Sequence, residues 1–228
     1  MPFGKGIPDL IPSFTLQPVN VAETLARQFE GRLAIDMGAG GRRLVPWIKT
    51  VDLIQLPGTD YVCDFSHNQT PFESGTVDLV VCTGVLEHVE DDAFLMNEIL
   101  RMLKPGGTVH IEMPFLHQYH DDPIDCRRLT LPGLKLYLEQ YGFEVTAHGV
   151  HIGPTVTILT LFSFYLDLLF KGKSFISKAI GNIFFAAFSF LAWPLRYLDY
   201  WLIKKPTAHT LAFGVYATAV KKIQSGVA

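Results

Sequence analysis

This 228-residue sequence predicts an α/β fold, a mostly parallel seven-stranded sheet with helices on both faces. Three observations carry that reading. Short apolar runs alternate along the chain with segments of helical spacing, the pattern of strand–helix–strand units. One run, Val77-Asp78-Leu79-Val80-Val81-Cys82, is almost continuously apolar, as a parallel strand buried on both faces should be. Another, Leu33-Ala34-Ile35-Asp36-Met37-Gly38-Ala39-Gly40-Gly41, reads as an apolar strand that passes through a carboxylate into a turn of small residues. Gly38 and Gly40 can take positive φ and lack a Cβ, so a ligand can approach their backbone closely. In open α/β sheets the carboxyl end of the first strand is a place where nucleotide-like ligands bind.

The elements follow in order. Residues 1–18 hold four prolines and little periodicity, so they read as an extended arm. Asn20 with Glu23 forms a capping-box pattern ahead of a helix over Val21–Phe29, which Gly31 ends. After the strand Leu33–Ile35 and its glycine turn, Arg42 to Ile48 leaves room for at most a very short helix. Lys49–Ile54 is the second strand, with Asp52 toward its carboxyl end, and Tyr61–Asp64 the third, ending in an acid. A helix over Asp91–Leu103 has its acids in the first turn, where the helix dipole favours them, and its apolar stripe on Leu95, Ile99 and Met102. Lys104-Pro105-Gly106-Gly107 stops that helix before a fifth strand, Thr108–Met113. Thr130 caps a helix with Leu131, Leu134, Leu138 and Tyr141 on one face, and Gly142 ends it. Phe143–Val150 and Leu211–Val220 complete the strands.

Composition narrows the partners. Hydrophobic residues make up 49% and charged residues 18%, with a mean hydropathy of +0.25, so some apolar surface is expected to meet something other than water. A net charge of −3 argues against a nucleic-acid partner. Cys63, Cys82 and Cys126 are odd in number and widely spaced, which fits a reducing compartment and neither a disulfide framework nor a paired-cysteine metal site. No signal peptide is expected, because Ile7 to Phe14 is short and broken by Pro8 and Pro12.

The acids and glycines fall at successive strand ends. A nucleoside lying across that edge needs a bare turn to sit over, a carboxylate for its ribose diol and a polar group for its base. Gly38 and Gly40, Asp52 and Asp64 supply these in strand order. Each of those acids is an ordinary turn residue when taken singly; their sequence along the edge points to a ligand.

Four pieces of the chain resemble the class I S-adenosylmethionine-dependent methyltransferases, most nearly the small-molecule branch with type 11 domains. They are Ala34-Ile35-Asp36-Met37-Gly38-Ala39-Gly40, Val77-Asp78-Leu79-Val80, Gly84-Val85-Leu86-Glu87-His88-Val89 and Leu103-Lys104-Pro105-Gly106-Gly107, and the similarity covers roughly residues 30–150. The resemblance implies a Rossmann-like fold and S-adenosyl-L-methionine as cofactor. It implies that Asp36 orders the loop and reaches the methionine amino group, that Gly38 and Gly40 line the cofactor, and that Asp52 holds the ribose. Asp64 with Phe65 would hold the adenine, and Thr83 and Leu86 the methionine side beneath the sulfonium. Arg42 stands where the pattern has a third glycine, with Gly41 beside it to compensate.

Methyl transfer from a sulfonium is an in-line displacement in which positioning supplies roughly 7–11 kcal/mol. A general base matters for a hydroxyl acceptor and adds ~10²–10⁴-fold. The loop after the fifth strand, Pro114 to Arg128, leaves the carboxyl edge of the sheet and offers His120 as first candidate, His117 as second, with His88 third. The alternative is that these histidines only order a polar loop. A metal held by His117, His120 and Asp121 is conceivable, but the spacing matches no specific pattern and none is expected. Arg127 and Arg128 either bind an acidic group of the acceptor or cap the helix and pair with Asp121 and Asp125, and the second reading is preferred.

Residues 154–208 interrupt the last two strands and carry six basic and two acidic residues, +4 against −7 for the remainder. Thr155–Phe170 is almost wholly apolar except for a stripe of Thr157, Thr160, Ser163 and Asp167 at helical spacing. Ala179–Leu195 is uncharged but shorter than the roughly 20 residues a crossing needs. Trp193, Tyr197, Tyr200 and Trp201 follow, aromatics of the kind that gather at membrane–water boundaries. A helical hairpin lying in the inner leaflet satisfies these facts; a hydrophobic lid or a homodimer surface is the alternative. The domain plan is thus an arm and helix over 1–30, a methyltransferase domain over 31–153 and 209–228, and an insertion over 154–208. The expected protein is cytoplasmic, peripheral or monotopic at the inner membrane face. It would methylate a small, apolar or lipid-linked acceptor, with a sugar of a glycan precursor allowed by family analogy. The competing class is a non-catalytic cofactor-binding or scaffold protein that keeps the fold.

Overall fold

The computed structural model describes residues 14–120, 124–170 and 175–223. Those residues divide into two compact units. One holds Val19–Phe115, Tyr119–His151 and residues 215–223; the other holds residues 14–18, Leu116–Gln118 and Ile152–Gly214.

The first unit is built on seven strands: β1 (Ala34–Met37), β2 (Lys49–Asp52), β3 (Tyr61–Val62), β4 (Val77–Thr83), β5 (Leu103–Pro114), β6 (Phe143–Ile152) and β7 (Gly214–Lys221). Their order is β3-β2-β1-β4-β5-β7-β6. β1 pairs in parallel with β2 and with β4, Asp36 lying opposite Thr50 on one side and Val81 on the other. β4 and β5 are parallel as well, with Thr83 opposite Glu112. β7 returns in the opposite sense to β6: Phe213 N–H donates to Ile152 C=O at one end and Lys222 N–H to Gly142 C=O at the other. Between β1 and β4 the chain changes direction across the sheet, and the crevice at such a switch point is where open α/β sheets bind ligands.

The helices form where local chemistry closes their ends. In α1 (Val21–Arg27) Asn20 Oδ1 accepts from Glu23 N–H at 3.0 Å and its Nδ2 donates back to Glu23 Oε2 at 3.2 Å, a reciprocal cap. Ala22 and Ala26 pack beneath it on Ala34, Val45, Ile48, Leu79 and Val81. No helix forms between β1 and β2. Residues 42–48 are turns around Pro46, yet Val45 and Ile48 fill the layer a helix would have covered. α2 (Asp92–Met102) takes Asp91 as its cap, with Phe94 N–H on Asp91 Oδ1 at 3.0 Å, and α3 (Leu131–Gln140) takes Thr130.

Lys104–Gly107 does not form a separate turn before β5, contrary to the sequence reading. α2 runs directly into the strand at Leu103, and pairing with β4 jumps from Val77–Leu103 to Leu79–Thr108. The four residues bulge out of the ladder, which suits Gly106 at φ 78° and leaves Lys104 Nζ 2.8 Å from both oxygens of Asp78.

The second unit consists of α4 (Pro154–Phe170), α5 (Phe175–Ala192), a 3₁₀ stretch Trp193–Leu198, a helical turn Asp199–Leu202 and a 3₁₀ turn Ala208–Leu211, where the sequence reading began its last strand. Phe14 packs with Leu159, Ala192, Phe188 and Trp193, so the described end of the arm belongs with these helices. Residues 1–13 lie outside the described residues, as do Lys171 and Lys173 of the insertion. Thr157 and Ser163 of the α4 stripe are buried, as is Ser189 of α5, whereas Ile158, Leu161, Phe162, Leu168, Leu169, Ile183, Phe184 and Leu191 are exposed. Val156 and Leu159 of α4 are buried as well, so the inward face mixes apolar and small polar residues while the outward face is apolar. Among the described residues, no helix is long and apolar enough to cross a membrane.

Candidate active site

The glycine turn after β1 is shaped by two different demands. Gly38, at φ 69°, lies so close to the segment after β4 that a Cβ would stand 2.3 Å from Val85 Cγ2. Gly40, at φ 59°, has nothing within 4 Å of where its Cβ would be. The first glycine therefore serves packing, and the second leaves open space at the carboxyl edge. Gly41 takes φ 75°, supplying beside Arg42 the left-handed residue the turn requires.

Asp52 ends β2 and clamps this turn, its Oδ2 accepting from Gly40 N–H at 2.7 Å and its Oδ1 from Leu53 N–H at 2.8 Å. Asp64 follows β3 and accepts from Ser66 N–H at 3.1 Å, with His67 Nδ1 3.1 Å from its other oxygen. Phe65 beside it is buried, Thr83 ends β4, and Leu86 is fully buried. Asp36 is only 2% exposed and its Oδ1 has no hydrogen-bond partner. Burial raises its pKa to about 7, with Arg42 pulling the other way and Glu112 and Asp52 adding to the rise.

Across the switch point from this turn, β4 leads into a 3₁₀ turn, Leu86–His88. Arg127 fixes it by donating to the carbonyls of Leu86 at 3.0 Å, Val89 at 2.9 Å and Glu90 at 3.3 Å, and by pairing with Asp92 at 3.0 Å. Glu87 C=O accepts from Cys126 N–H at 2.7 Å. Glu87 is 2% exposed, its Oε2 lacks a hydrogen-bond partner, and burial pushes its carboxyl above the usual range.

The structure brings His88 and His120 together, ring centroids 4.9 Å apart and nearly perpendicular. His88 Nδ1 is bonded to Ile124 C=O. His120 Nδ1 lies 3.2 Å from Asp125 Oδ2, which also accepts the His120 backbone N–H at 2.8 Å. Arg128 pairs with both oxygens of Asp125. Although burial works to raise the Asp125 pKa, the guanidinium and that N–H hold it down to about 2. Arg128 thus pairs with Asp125 as the sequence reading preferred, whereas Arg127 pairs with Asp92 and with backbone carbonyls instead of Asp121 or Asp125. His117 is not part of this group. It belongs to the helical unit, with its ring 4.3 Å from that of Phe213 and its Nδ1 2.6 Å from Gln118 C=O. Asp121 lies outside the described residues.

Sequence reading missed a buried polar group on β5 and its neighbours. His110 Nδ1 lies 2.8 Å from Thr218 Oγ1, its Nε2 is 3.3 Å from Glu112 Oε1, and His151 Nε2 is 3.9 Å from Glu112 Oε2. The available signal was His110-Ile111-Glu112, two polar residues at strand spacing within an apolar run.

Residues 48–111 match the family model described as a methyltransferase domain. A ubiquinone biosynthesis O-methyltransferase of Xanthomonas oryzae is 28% identical over 121 residues, covering 44% of this chain and 51% of that protein. The chain spans about a third to a half of the length of the curated relatives it matches. Among solved structures, a Burkholderia thailandensis 1,6-didemethyltoxoflavin-N1-methyltransferase with bound S-adenosylhomocysteine superimposes at a TM-score of 0.52 and 16% identity, over 90% of this chain and 79% of its own. The (4+2) cyclase SpnF superimposes equally well, at 0.52 and 18% identity over 89% of this chain and 81% of its own. The sheet order, the residues at its strand ends and the match over residues 48–111 agree: the fold is the one shared by these methyltransferases, and this part of the chain is similar to the class I S-adenosylmethionine-dependent family.

Proposed function

We propose that this chain transfers a methyl group from S-adenosylmethionine to a hydroxyl of a small, apolar or lipid-linked acceptor. The observation that carries the reading is Asp36: a buried carboxylate with an orphaned oxygen, beside the open space over Gly40 and at the switch point of the sheet. A ligand with a cationic amino group and a flat nucleoside fits both features. When bound, the cofactor supplies a methyl group already activated on a sulfonium. Asp36 would receive the amino group. Asp52 has lone pairs left for a ribose diol beyond those engaged by Gly40 and Leu53. Asp64 and Phe65 would face the base, and Thr83 and Leu86 the methionine side. His88 and His120 stand where an acceptor would approach from the β4 side. The likeness to an O-methyltransferase named for ubiquinone biosynthesis supports an oxygen acceptor on an apolar molecule. A glycan precursor remains the alternative acceptor, and a non-catalytic cofactor-binding protein the alternative class, since the same fold serves a cyclase.

Calorimetric titration with S-adenosylhomocysteine tests this. Because Asp36 has a free-state pKa raised to about 7 and the bound amino group favours its carboxylate, affinity is expected to rise about tenfold between pH 6 and pH 8, with proton release on binding at the lower pH. Asp36→Asn should abolish that dependence. Absence of binding at any pH would leave the scaffold reading.

The helical unit suits the surface of an anionic membrane. Its outward apolar side chains, together with exposed Tyr197, Tyr200 and Trp201 and the bases Arg196, Lys204 and Lys205, support an interfacial placement at the inner leaflet. Lys205 Nζ lies 4.0 Å from the centroid of the Trp201 ring, a cation–π contact at the polar end of the unit. Full-length protein should sediment with vesicles rich in phosphatidylserine. Replacing Lys204 and Lys205 together by alanine should weaken that partition by about 30-fold, from ~1 kcal/mol per base. Equal recovery in the supernatant with and without vesicles would leave the lid or the dimer surface.

A further inference from the structure

We propose that Glu87, His88 and His120 form a site for a divalent transition-metal ion of the zinc type. Among the described residues they are the set in which one ligand atom from each lies within 4.8 Å of the others. Glu87 Oε1 and His88 Nε2 are 3.8 Å apart. Two ligands about 2.1 Å from one tetrahedral ion stand about 3.4 Å apart, so a small rotation closes the difference.

Proximity alone would not carry the inference; the surroundings of each ligand do. A metal-bound histidine usually gives its other N–H to a carbonyl or carboxylate, which fixes the tautomer and aims the remaining nitrogen. Both rings have that partner. His88 Nδ1 is on Ile124 C=O, and His120 Nδ1 is 3.2 Å from Asp125 Oδ2. The His88 bond selects the tautomer that presents Nε2 to an ion; at His120, Nδ1 lies between the Asp125 carboxylate and the Arg128 guanidinium, which together fix the orientation of the ring. Asp125 is itself held by Arg128 and by the His120 backbone N–H at 2.8 Å. Arg128 Nη2 approaches His120 Nδ1 to 3.3 Å, but its charge is matched by Asp125 on that side of the ring.

Glu87 supplies the independent observation. Its side chain is 3% exposed, and Oε2 has no hydrogen-bond donor. A buried carboxylate without donors on both oxygens is costly, and a cation bound at Oε1, the oxygen that faces His88 Nε2, would neutralise that carboxylate and offset the cost. Two nitrogens and one carboxylate favour zinc, cobalt or manganese over magnesium or calcium, which prefer all-oxygen shells. Three protein ligands leave a coordination position open.

The consequence for chemistry rests on the methyltransferase reading; ion binding does not. An acceptor hydroxyl in the open position would lose its proton to solvent more readily. Its oxygen electron pair would form the new O–CH₃ bond as the methyl–sulfur bond breaks, leaving the neutral thioether S-adenosylhomocysteine.

The full chain, stripped with a chelator, is titrated with cobalt(II) and followed by its visible ligand-field absorption, and zinc stoichiometry is measured by mass spectrometry after dialysis. One equivalent is expected in the wild type, with no thiolate charge-transfer band and an unchanged spectrum in Cys126→Ser. Glu87→Gln and His120→Ala, each with wild-type circular dichroism, should weaken zinc by at least ~100-fold in competition with a chromophoric chelator. No bound cobalt, or affinity unchanged in both variants, overturns the site. S-adenosylhomocysteine titrated into the same samples separates the readings. Nucleoside binding without metal binding removes only the ion; metal binding without nucleoside binding removes only the methyltransferase.

Discussion

His120→Ala is expected to lower turnover by ~10²–10⁴-fold while leaving affinity for S-adenosylhomocysteine unchanged. The separation follows from where the ring is held. His120 is tied to Asp125 and lies edge-on to His88, on the β4 side of the switch point. The groups proposed for the cofactor are Asp36 within β1, Gly40 in the turn after it and Asp52 at the end of β2. The loss holds whether the imidazole takes the acceptor proton itself or holds an ion that acidifies the acceptor, because both require the ring beside the reacting oxygen. Asp125→Asn probes the positioning of that ring. It keeps the shape but weakens the acceptor at Nδ1 and breaks a charged pair with Arg128, so a smaller loss of ~10–100-fold in kcat is expected. KM for the cofactor should stay at its wild-type value. His117→Ala should leave kcat near wild type, because its ring packs on Phe213 and its Nδ1 is engaged with Gln118 C=O. If His117→Ala produced the large loss and His120→Ala did not, the acceptor-side assignment would be wrong.

What was legible in the sequence is what local backbone chemistry dictates. Positive φ at Gly38, Gly40 and Gly41 follows from a strand that must turn sharply at the sheet edge, and small residues in a row announce it. Asn20 and Thr130 cap helices because a short oxygen-bearing side chain before an apolar stripe has few other uses, whereas Asp91, read as the first helical residue, is the cap one position ahead of its helix. The pairing of His88 with His120 was not legible, for it depends on residues 124–128 folding back over the Leu86–His88 turn, a tertiary event with no periodicity. Glu87 stood inside a recognised motif, but nothing in its neighbours along the chain shows that its carboxylate is buried with no donor on Oε2. The α4 stripe of Thr157, Thr160 and Ser163 shows the limit of hydropathy. Periodicity locates a face without saying what covers it, and here the polar face turns inward because Thr157 Oγ1 donates to Leu211 C=O at 2.8 Å and Ser163 Oγ to Thr160 C=O at 2.7 Å.

That inward polarity makes the helical unit depend on one carboxylate. Asp199 is 0% exposed, and it accepts from Thr155 N–H at 2.9 Å through Oδ1 and from Val156 N–H at 3.0 Å through Oδ2. It therefore caps the first turn of α4 from the far end of the insertion, tying Pro154 to the segment after α5. Gly153 is the residue that permits this approach, since a Cβ there would lie 2.4 Å from Asp199 Cγ. Asp199→Ala removes the acceptor for both amides and the negative charge at the helix N-terminus. Loss of a cap costs about 1 kcal/mol and a buried donor left unsatisfied about 1–3 kcal/mol, so roughly 3 kcal/mol is expected for the unit. Asp199→Asn should fall between, because the amide oxygen keeps one bond while its NH₂ opposes the second donor. Hydrogen exchange locates the effect. Amides of α4 and α5 should lose protection by ~100-fold in Asp199→Ala, the fold-change that ~3 kcal/mol of local opening corresponds to, while β4 amides from Val77 to Thr83 keep theirs. Unchanged protection in α4 would mean that the clasp contributes nothing, and that the outward apolar surface alone holds the two helices together.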